Sequence, residues 1–352
     1  MIFMKGRGAQ YNPDNPFAKL VAAVEKDLVF SESQGDIKTE YLETHPKTIV
    51  NKVASQDIGL EYSMNPYQGC EHGCVYCYAR NTHPYWGYSA GLDFESKILI
   101  KREAPALLAK KLASPNWKAA PIMLSGNTDC YQPAEAKLQI TRQLLEVLER
   151  FRHPAGIITK SALILRDIDI IGRMAERNLI CVAISINTLD ESLRRQLEPR
   201  TASVAKRIEV IRTLADAGVY VQAMVAPIIP GLNDHEISDV VKAVSQAGAK
   251  NAGYITVRLN GDVGPIFTDW LQKKYKDRAD KIIHRIMDIH GGKVSDSRTG
   301  IRMKGEGKYA ELINAHFKLA MRRYMPGAHR FEYNLTEFEQ ARKPQTNLFD
   351  LF

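Results

Sequence analysis

Three of the five cysteines in this 352-residue chain fall within eight consecutive positions, Cys70-Glu71-His72-Gly73-Cys74-Val75-Tyr76-Cys77. A loop with the spacing C-x3-C-x2-C can bend three thiolates around one face of an iron–sulfur cube, and thiolates are the donors such clusters take. The fourth iron would then lack a protein ligand and could be chelated by the amine and carboxylate of a substrate. Tyr67-Gln68-Gly69 and Gly73 supply the turns and let the backbone approach the sulfurs. The alternative is a Cys3His zinc site completed by His72 or His83. Zinc loops usually present two separated C-x2-C halves, and no second pair exists here. Three buried cysteines with no ligand role would be a coincidence at such a spacing.

Whatever sits on this loop must be positioned by the elements downstream of it. Short β-branched runs recur at Ala120–Leu124, Gly156–Thr159, Ile180–Ile186, Val219–Val225 and Ala252–Val257. Amphipathic segments separate them at Glu135–Phe151, Leu163–Arg177, Val204–Ala217 and Asp234–Ala247. This alternation implies βαβ units and a parallel sheet. Five or six units in a row suit a partial or complete barrel better than a short doubly wound sheet. The expected class is therefore α/β, and spacing alone does not decide how far the barrel closes. Before it lies an arm (1–57), dense in turn formers from Arg7 to Pro16 and carrying a short candidate helix over Phe17–Lys26. The core is placed at 58–262, a basic helical C-terminal region at 263–340 and a tail at 341–352. In the last part, helices are expected over Lys276–His290 and Lys308–Tyr324, flanking a Gly- and Arg-rich connector, Gly291–Gly307.

Composition narrows the class. With 45% hydrophobic and 25% charged residues the chain reads as a globular protein, which excludes collagen, a disordered chain and a disulfide-rich mini-scaffold. Five cysteines are odd in number and too sparse for a disulfide framework, so a reducing compartment is expected. Met1–Gln10 carries no apolar stretch ahead of a small-residue cleavage site, and no run approaches a spanning helix. A cytoplasmic protein with no membrane association is expected. The formal charge of +8 permits an anionic partner. Residues 265–352 hold 17 Lys/Arg against 11 Asp/Glu, so most of that excess sits after the core.

The cysteine octet at the start of a β/α chain resembles the signature of the radical S-adenosylmethionine (SAM) superfamily. Cys74-Val75-Tyr76-Cys77-Tyr78, Thr159-Lys160-Ser161, Ser185-Ile186-Asn187, Glu198-Pro199-Arg200-Thr201 with Arg207-Ile208, and Val225-Ala226-Pro227-Ile228 occur in the order and spacing of its spore photoproduct lyase group, over about residues 60–260. The arm Gly6-Arg7-Gly8-Ala9…Asn12-Pro13 and the segment Asp296-Ser297-Arg298…Gly305-Glu306-Gly307 look like a non-spore bacterial branch of it. The resemblance implies an α/β fold with a partial (β/α)6 TIM-type barrel, a 4Fe–4S cluster on Cys70, Cys74 and Cys77, and reductive cleavage of SAM to a 5′-deoxyadenosyl radical that takes hydrogen from an unreactive carbon. It implies an electron donor such as flavodoxin or ferredoxin.

It also implies where SAM would be held. Ser125, Asn127 and Asp129 come after one strand, Lys160 would meet the SAM carboxylate, Ser185 and Asn187 the ribose, and Ala226 and Pro227 the adenine. Each has a plain counterpart: a helix cap, a surface lysine, a turn. Tyr76 and Tyr78 match a tyrosine pair that the family uses near SAM, and aromatic packing serves as well. The family's hydrogen-donating cysteine would fall at Gly126, so it is missing there. Cys130, on the other side of Asp129, is the candidate replacement or a small buried hydrophobe. That departure puts thymine-dimer reversal in doubt and leaves radical generation untouched.

Three features bear on nucleic acid. Asn81–Tyr88 is aromatic-rich and could stack bases or simply cover the site. The connector Ser297–Lys308 offers glycines and cations that suit phosphate, without Walker spacing. The C-terminus, with Gln345, Leu348 and Phe349, resembles the short peptide that replication proteins insert into the sliding clamp. The reading is a radical SAM enzyme acting on DNA, in base-lesion repair or base modification. The alternatives are radical modification of RNA or a protein side chain, and a non-catalytic iron–sulfur or zinc module that binds nucleic acid.

Overall fold

The β-branched runs become strands because both of their faces are covered. All six residues of Ile180–Ser185 are buried, as expected of a parallel strand between two layers. The computed structural model describes residues 4, 6–15, 38–57 and 59–342. Its strands are β1 (Glu40–Glu43), β2 (Asn51–Lys52), β3 (Tyr62–Met64), β4 (Tyr67–Gln68), β5 (Lys97–Ile100), β6 (Ile122–Leu124), β7 (Ala155–Thr159), β8 (Ile180–Ser185), β9 (Tyr220–Ile228) and β10 (Asn251–Thr256).

Seven strands form one sheet in the order β10-β9-β8-β7-β6-β3-β2. Every pair from β3 to β10 is parallel, and β2 alone runs antiparallel to β3. The six parallel strands lie in a sheet that does not close on itself, ending at β10 and at β2, which makes it a partial (β/α)6 barrel as the resemblance implied. A three-stranded sheet, β1-β5-β4, stands beside it and leads into the cysteine loop.

Helices alternate with the strands, and their boundaries differ from the pattern for local reasons. The segment read as one helix over Glu135–Phe151 is two, Glu135–Leu138 and Ile140–Arg150, split at Gln139, which has φ 51°. The buried Glu135 carboxylate accepts the backbone N–H groups of Thr141 and Arg142, so it caps the second helix. Leu163–Arg177 opens as a 3-10 turn, with Ser161 Oγ accepting the Leu163 N–H, and becomes α-helical at Ile168–Ala175.

A helix at Val263–Lys274 is absent from the sequence reading. Gly264-Pro265 looks like a turn, yet Pro fits the first turn of a helix, where its missing N–H is no loss. The C-terminal helices share the core of the barrel. Phe317 and Phe338 join the main core, while Trp270, Ile282 and Ile286 pack in a second core with Cys74, Val75 and Tyr76. Burying such side chains contributes about 1.5–3 kcal/mol each. No helix among the described residues is long and apolar enough to cross a membrane.

Candidate functional site

The cysteine loop leaves β4 and lies across the carboxyl ends of the parallel strands, held by the segments that come after them. Cys70 N–H donates to the Phe94 carbonyl at 2.8 Å, Val75 N–H to Leu197 at 3.0 Å, and Arg200 N–H to the His72 carbonyl at 3.3 Å. Glu71 binds the stretch after β6 in both directions: its N–H donates to Gln132 Oε1 (2.9 Å) and its carboxylate accepts the Ala134 N–H (2.7 Å). Gly73 turns the loop at φ 66°.

Cys70 and Cys74 are buried and Cys77 is half-buried. Burial pushes the Cys70 thiol well up, and the negative charges of Asp129, Cys74 and Cys77 push further. Cys74 is likewise raised by burial, against the pull of the Lys160 ammonium. Three thiolates so placed need a strongly positive centre between them. Among the described residues no three His, Cys, Asp or Glu side chains converge on the space of one metal ion. A cluster spreads its thiolates over separate irons, so three cysteines on one loop suffice for it. The donor set fits a cluster.

Asp129 is the hub beneath the loop. Its carboxylate lies 3.3 Å from His72 Nδ1 and accepts from Thr159 Oγ1 (2.7 Å), Lys160 N (2.9 Å) and Tyr131 N (2.9 Å). Burial alone would raise its pKa, but His72 and these donors outweigh burial and hold it at about 2. Burial also works against the Lys160 ammonium, yet Cys74, Glu198 and Asp129 keep it protonated.

The other expected SAM contacts divide. Ser125, at φ 68°, spends its Oγ on the Cys130 N–H, and the Asn127 amide donates to Gln68 and Thr82. Ser185 is buried and its carbonyl accepts from Arg207 at 2.9 Å. Asn187 is 2% exposed, and neither polar atom of its side chain has a partner among the described residues. Leaving both unpaired costs free energy that a bound ligand would recover. Asn233, which the sequence reading missed, donates to the carbonyls of Asn187 (2.7 Å) and Pro227 (3.0 Å), pinning the ends of β8 and β9 together beside Ala226.

The two tyrosines part company. Tyr76 is buried and donates to Glu198, whose other oxygen accepts Arg207. Tyr78 is 47% exposed, donates to the Gly126 carbonyl at 2.6 Å and faces the charges of Lys160 and Arg258. Burial of its hydroxyl and the Cys77 charge push its pKa up to about 12. Cys130 is fully buried in the main core, its carbonyl held by Thr141 Oγ1 at 2.7 Å. Its thiol is pushed well up by burial and by the charge of the nearby Asp129.

The arginines of the connector have partners within the chain. Arg298 pairs with Asp296 (2.6 Å) and Glu306, and Arg302 with Asp57 and Ser55, so both arginines are engaged internally and the connector acts as a clasp. Tyr85 (72%) and Trp86 (43%) are exposed on the aromatic segment. The candidate helix over 17–26 and the clamp-like Gln345, Leu348 and Phe349 lie outside the described residues. Sequence reasoning also missed the buried Arg80–Glu95 pair behind the loop. Leu92–Ile100 carries three charges, Asp93, Glu95 and Lys97, among its apolar residues, so nothing local singles Glu95 out.

Similarity to known proteins tracks the same core. The sequence profile of the radical SAM superfamily matches residues 64–244. An uncharacterised protein of Mycobacterium tuberculosis (strain H37Rv) is 31% identical over 234 residues, 66% of this chain and 69% of that one. An uncharacterised protein of Methanocaldococcus jannaschii is 33% identical over 178 residues, 51% of this chain and 64% of its own. Among solved structures, spore photoproduct lyase complexed with dinucleoside spore photoproduct superposes with a TM-score of 0.59 at 17% identity, covering 84% of this chain and 82% of the lyase. A doubly substituted form with bound AdoMet and the same dinucleoside gives 0.61 at 16% identity, with equal coverage. The loop geometry, the six parallel strands and the matched core agree: the chain belongs to the radical SAM superfamily and is a radical SAM enzyme.

Proposed function

We propose that the chain holds a 4Fe–4S cluster on Cys70, Cys74 and Cys77, binds SAM against it, and removes hydrogen from DNA in base-lesion repair or base modification. The observation that carries this reading is the pairing of a three-thiol loop with the unpartnered Asn187 amide at the same end of the sheet. When bound, the reduced cluster and SAM supply a carbon radical able to take hydrogen from an unreactive C–H bond.

The chain's own residues do the rest. Lys160, half-buried, offers its ammonium to the SAM carboxylate, kept charged by its acidic neighbours. Asn187 offers donor and acceptor to the ribose, with Ser185 beside it. Ala226 and Pro227, aligned by Asn233, form the wall for adenine. Ser125, Asn127 and Asp129 shape the floor, their side chains being engaged with the protein. Tyr78 is the group placed to pass hydrogen at the mouth, since Cys130 is enclosed and Tyr76 is tied to Glu198. DNA as substrate is supported by the dinucleoside held in the similar lyase structures, by the charge excess after residue 265 and by the exposed Tyr85 and Trp86. Electrons would come from a flavodoxin or ferredoxin, and residues 345–349 are proposed to engage a sliding clamp.

Anaerobic reconstitution, reduction and addition of SAM tests the first half. 5′-Deoxyadenosine should form even without substrate, and its absence would leave the non-catalytic reading. Deuterium transfer from labelled DNA, but not RNA, into 5′-deoxyadenosine tests the second, and transfer from RNA alone would overturn DNA.

A further inference from the structure

The arm ahead of the barrel contains a buried stretch that the proposed chemistry leaves without a task. Arg7 is 5% exposed, Ala9 0% and Gln10 8%, values of a core rather than of an arm. Gly8 lies directly on the cysteine loop: a Cβ there would stand 1.8 Å from the Gly73 carbonyl oxygen and 3.1 Å from the Val75 nitrogen. Only a residue with no side chain fits this contact.

From that contact a continuous chain of hydrogen bonds runs to a cluster-ligand residue. The N–H groups of Gly8 and Ala9 donate to the Glu95 carboxylate at 3.1 and 2.7 Å, and Arg7 donates to the Glu95 carbonyl at 2.8 Å. Glu95 is fully buried and neutralised by Arg80, itself fully buried. The Arg80 guanidinium then grips the Cys74 carbonyl with two nitrogens, at 3.1 and 3.0 Å, and the carbonyls of Ala90 and Gly91 at 3.2 and 2.9 Å. Further along, Ser89 Oγ donates to the Pro13 carbonyl and Asn12 exchanges hydrogen bonds with Asp93, so the arm is laid along 89–95.

A buried carboxylate survives only if fully paired. Here two of its three hydrogen-bond donors, with Arg80 as the third, come from residues 8 and 9. Remove the arm and the Glu95–Arg80 pair loses two donors, water gains the outer face of the loop, and the grip on the Cys74 carbonyl loosens.

We propose that residues 7–13 are a positioning segment for the iron–sulfur cluster: a strap that locks the Cys70–Cys77 loop in its ligand-presenting shape and closes its outer face to water. The proposal rests on the ligand role given to the three cysteines above. The strap touches neither substrate nor reacting atoms.

The test uses the full chain and begins with the metal-free protein. Gly8→Ala should raise amide hydrogen exchange across residues 70–77 about tenfold, with exchange in β7, β8 and β9 unchanged. After anaerobic reconstitution the same variant should lose its visible chromophore in air about tenfold faster than wild type, as expected of a cluster whose loop opens more often. Wild-type loop exchange and wild-type bleaching in Gly8→Ala would make the strap ordinary packing and overturn the proposal. Should Gly8→Ala fail to fold, Arg7→Gln keeps the glycine and removes one anchor. It should show the same loop-confined rise in lesser degree, and either no rise or one spread over the whole chain overturns the strap. A wild-type chain that takes up no cluster would instead sink the ligand reading, and is recognised because wild type and variant then fail alike.

Discussion

The Asp129 carboxylate lies 3.3 Å from Nδ1 of the buried His72, joining the end of β6 to the interior of the cysteine loop. The same carboxylate takes Thr159 and Lys160 from the end of β7, so one side chain fixes three segments around the thiols. Asp129→Ala removes the acceptor for all of them and leaves their donors buried. Stability at neutral pH should fall by roughly 2–4 kcal/mol, read from urea unfolding. Asp129→Asn, which keeps one acceptor oxygen, should lose less. Equal losses would mean that the charge on Asp129, rather than its hydrogen bonds, holds the loop.

The five cysteines are all free thiols and should separate into two classes. Alanine at 70, 74 or 77 is expected to abolish both the brown chromophore and 5′-deoxyadenosine formation. Alanine at 130 or 181 should leave both in place and cost on the order of 1 kcal/mol through the small cavity left in the core. Full SAM cleavage by Cys74→Ala would end the ligand assignment. Loss of substrate turnover in Cys130→Ala with SAM cleavage intact would restore that thiol as hydrogen donor.

Tyr76 and Tyr78 are two residues apart and should behave oppositely. Tyr76→Phe takes a donor from the buried Glu198, with an expected loss of about 1–3 kcal/mol in stability. Tyr78→Phe gives up one bond at the open mouth and should hardly move stability. It should instead change the yield of product per SAM cleaved, measured by chromatography of both. A Tyr78→Phe enzyme with unaltered coupling would remove Tyr78 from hydrogen transfer.

The parts of this molecule legible in sequence are those whose signal is local. Three thiols within eight residues declare themselves, and β8 is apolar from Ile180 to Ile184 because both of its faces are covered. What stayed hidden depends on partners far apart in the chain. Glu95 reads as a stray charge until Gly8, Ala9 and Arg80 close on it, and Arg298 and Arg302 look like free cations until Asp296, Glu306 and Asp57 are placed. Cys130 read equally as hydrogen donor or small buried hydrophobe, and its complete burial in the main core could not be seen from its place after a strand end. Gly264-Pro265 concealed a helix, since the residues that end one helix also start another.

Burial of His153 gives the fold a pH dependence with a definite sign. Its Nε2 accepts from Trp117 Nε1 at 3.0 Å and its Nδ1 lies 3.0 Å from the Pro154 carbonyl, so the neutral ring is the form that satisfies both neighbours. Burial lowers its pKa from 6.5 to about 4, with the Pro154 carbonyl opposing. Between those values the unfolded chain binds the proton and the folded chain does not. The contribution is therefore complete above the unfolded pKa and is lost as pH falls toward about 4, at a cost on the order of 3 kcal/mol. Urea unfolding across that range should show the decline. In His153→Gln stability should start lower at mildly alkaline pH, because the Trp117 contact is altered, and then fall less steeply. The difference in slope between the two proteins isolates this histidine from His83 and His290, which burial also holds below their ordinary value. Equal slopes would show that His153 is protonated in the folded state at the same pH as in the unfolded chain.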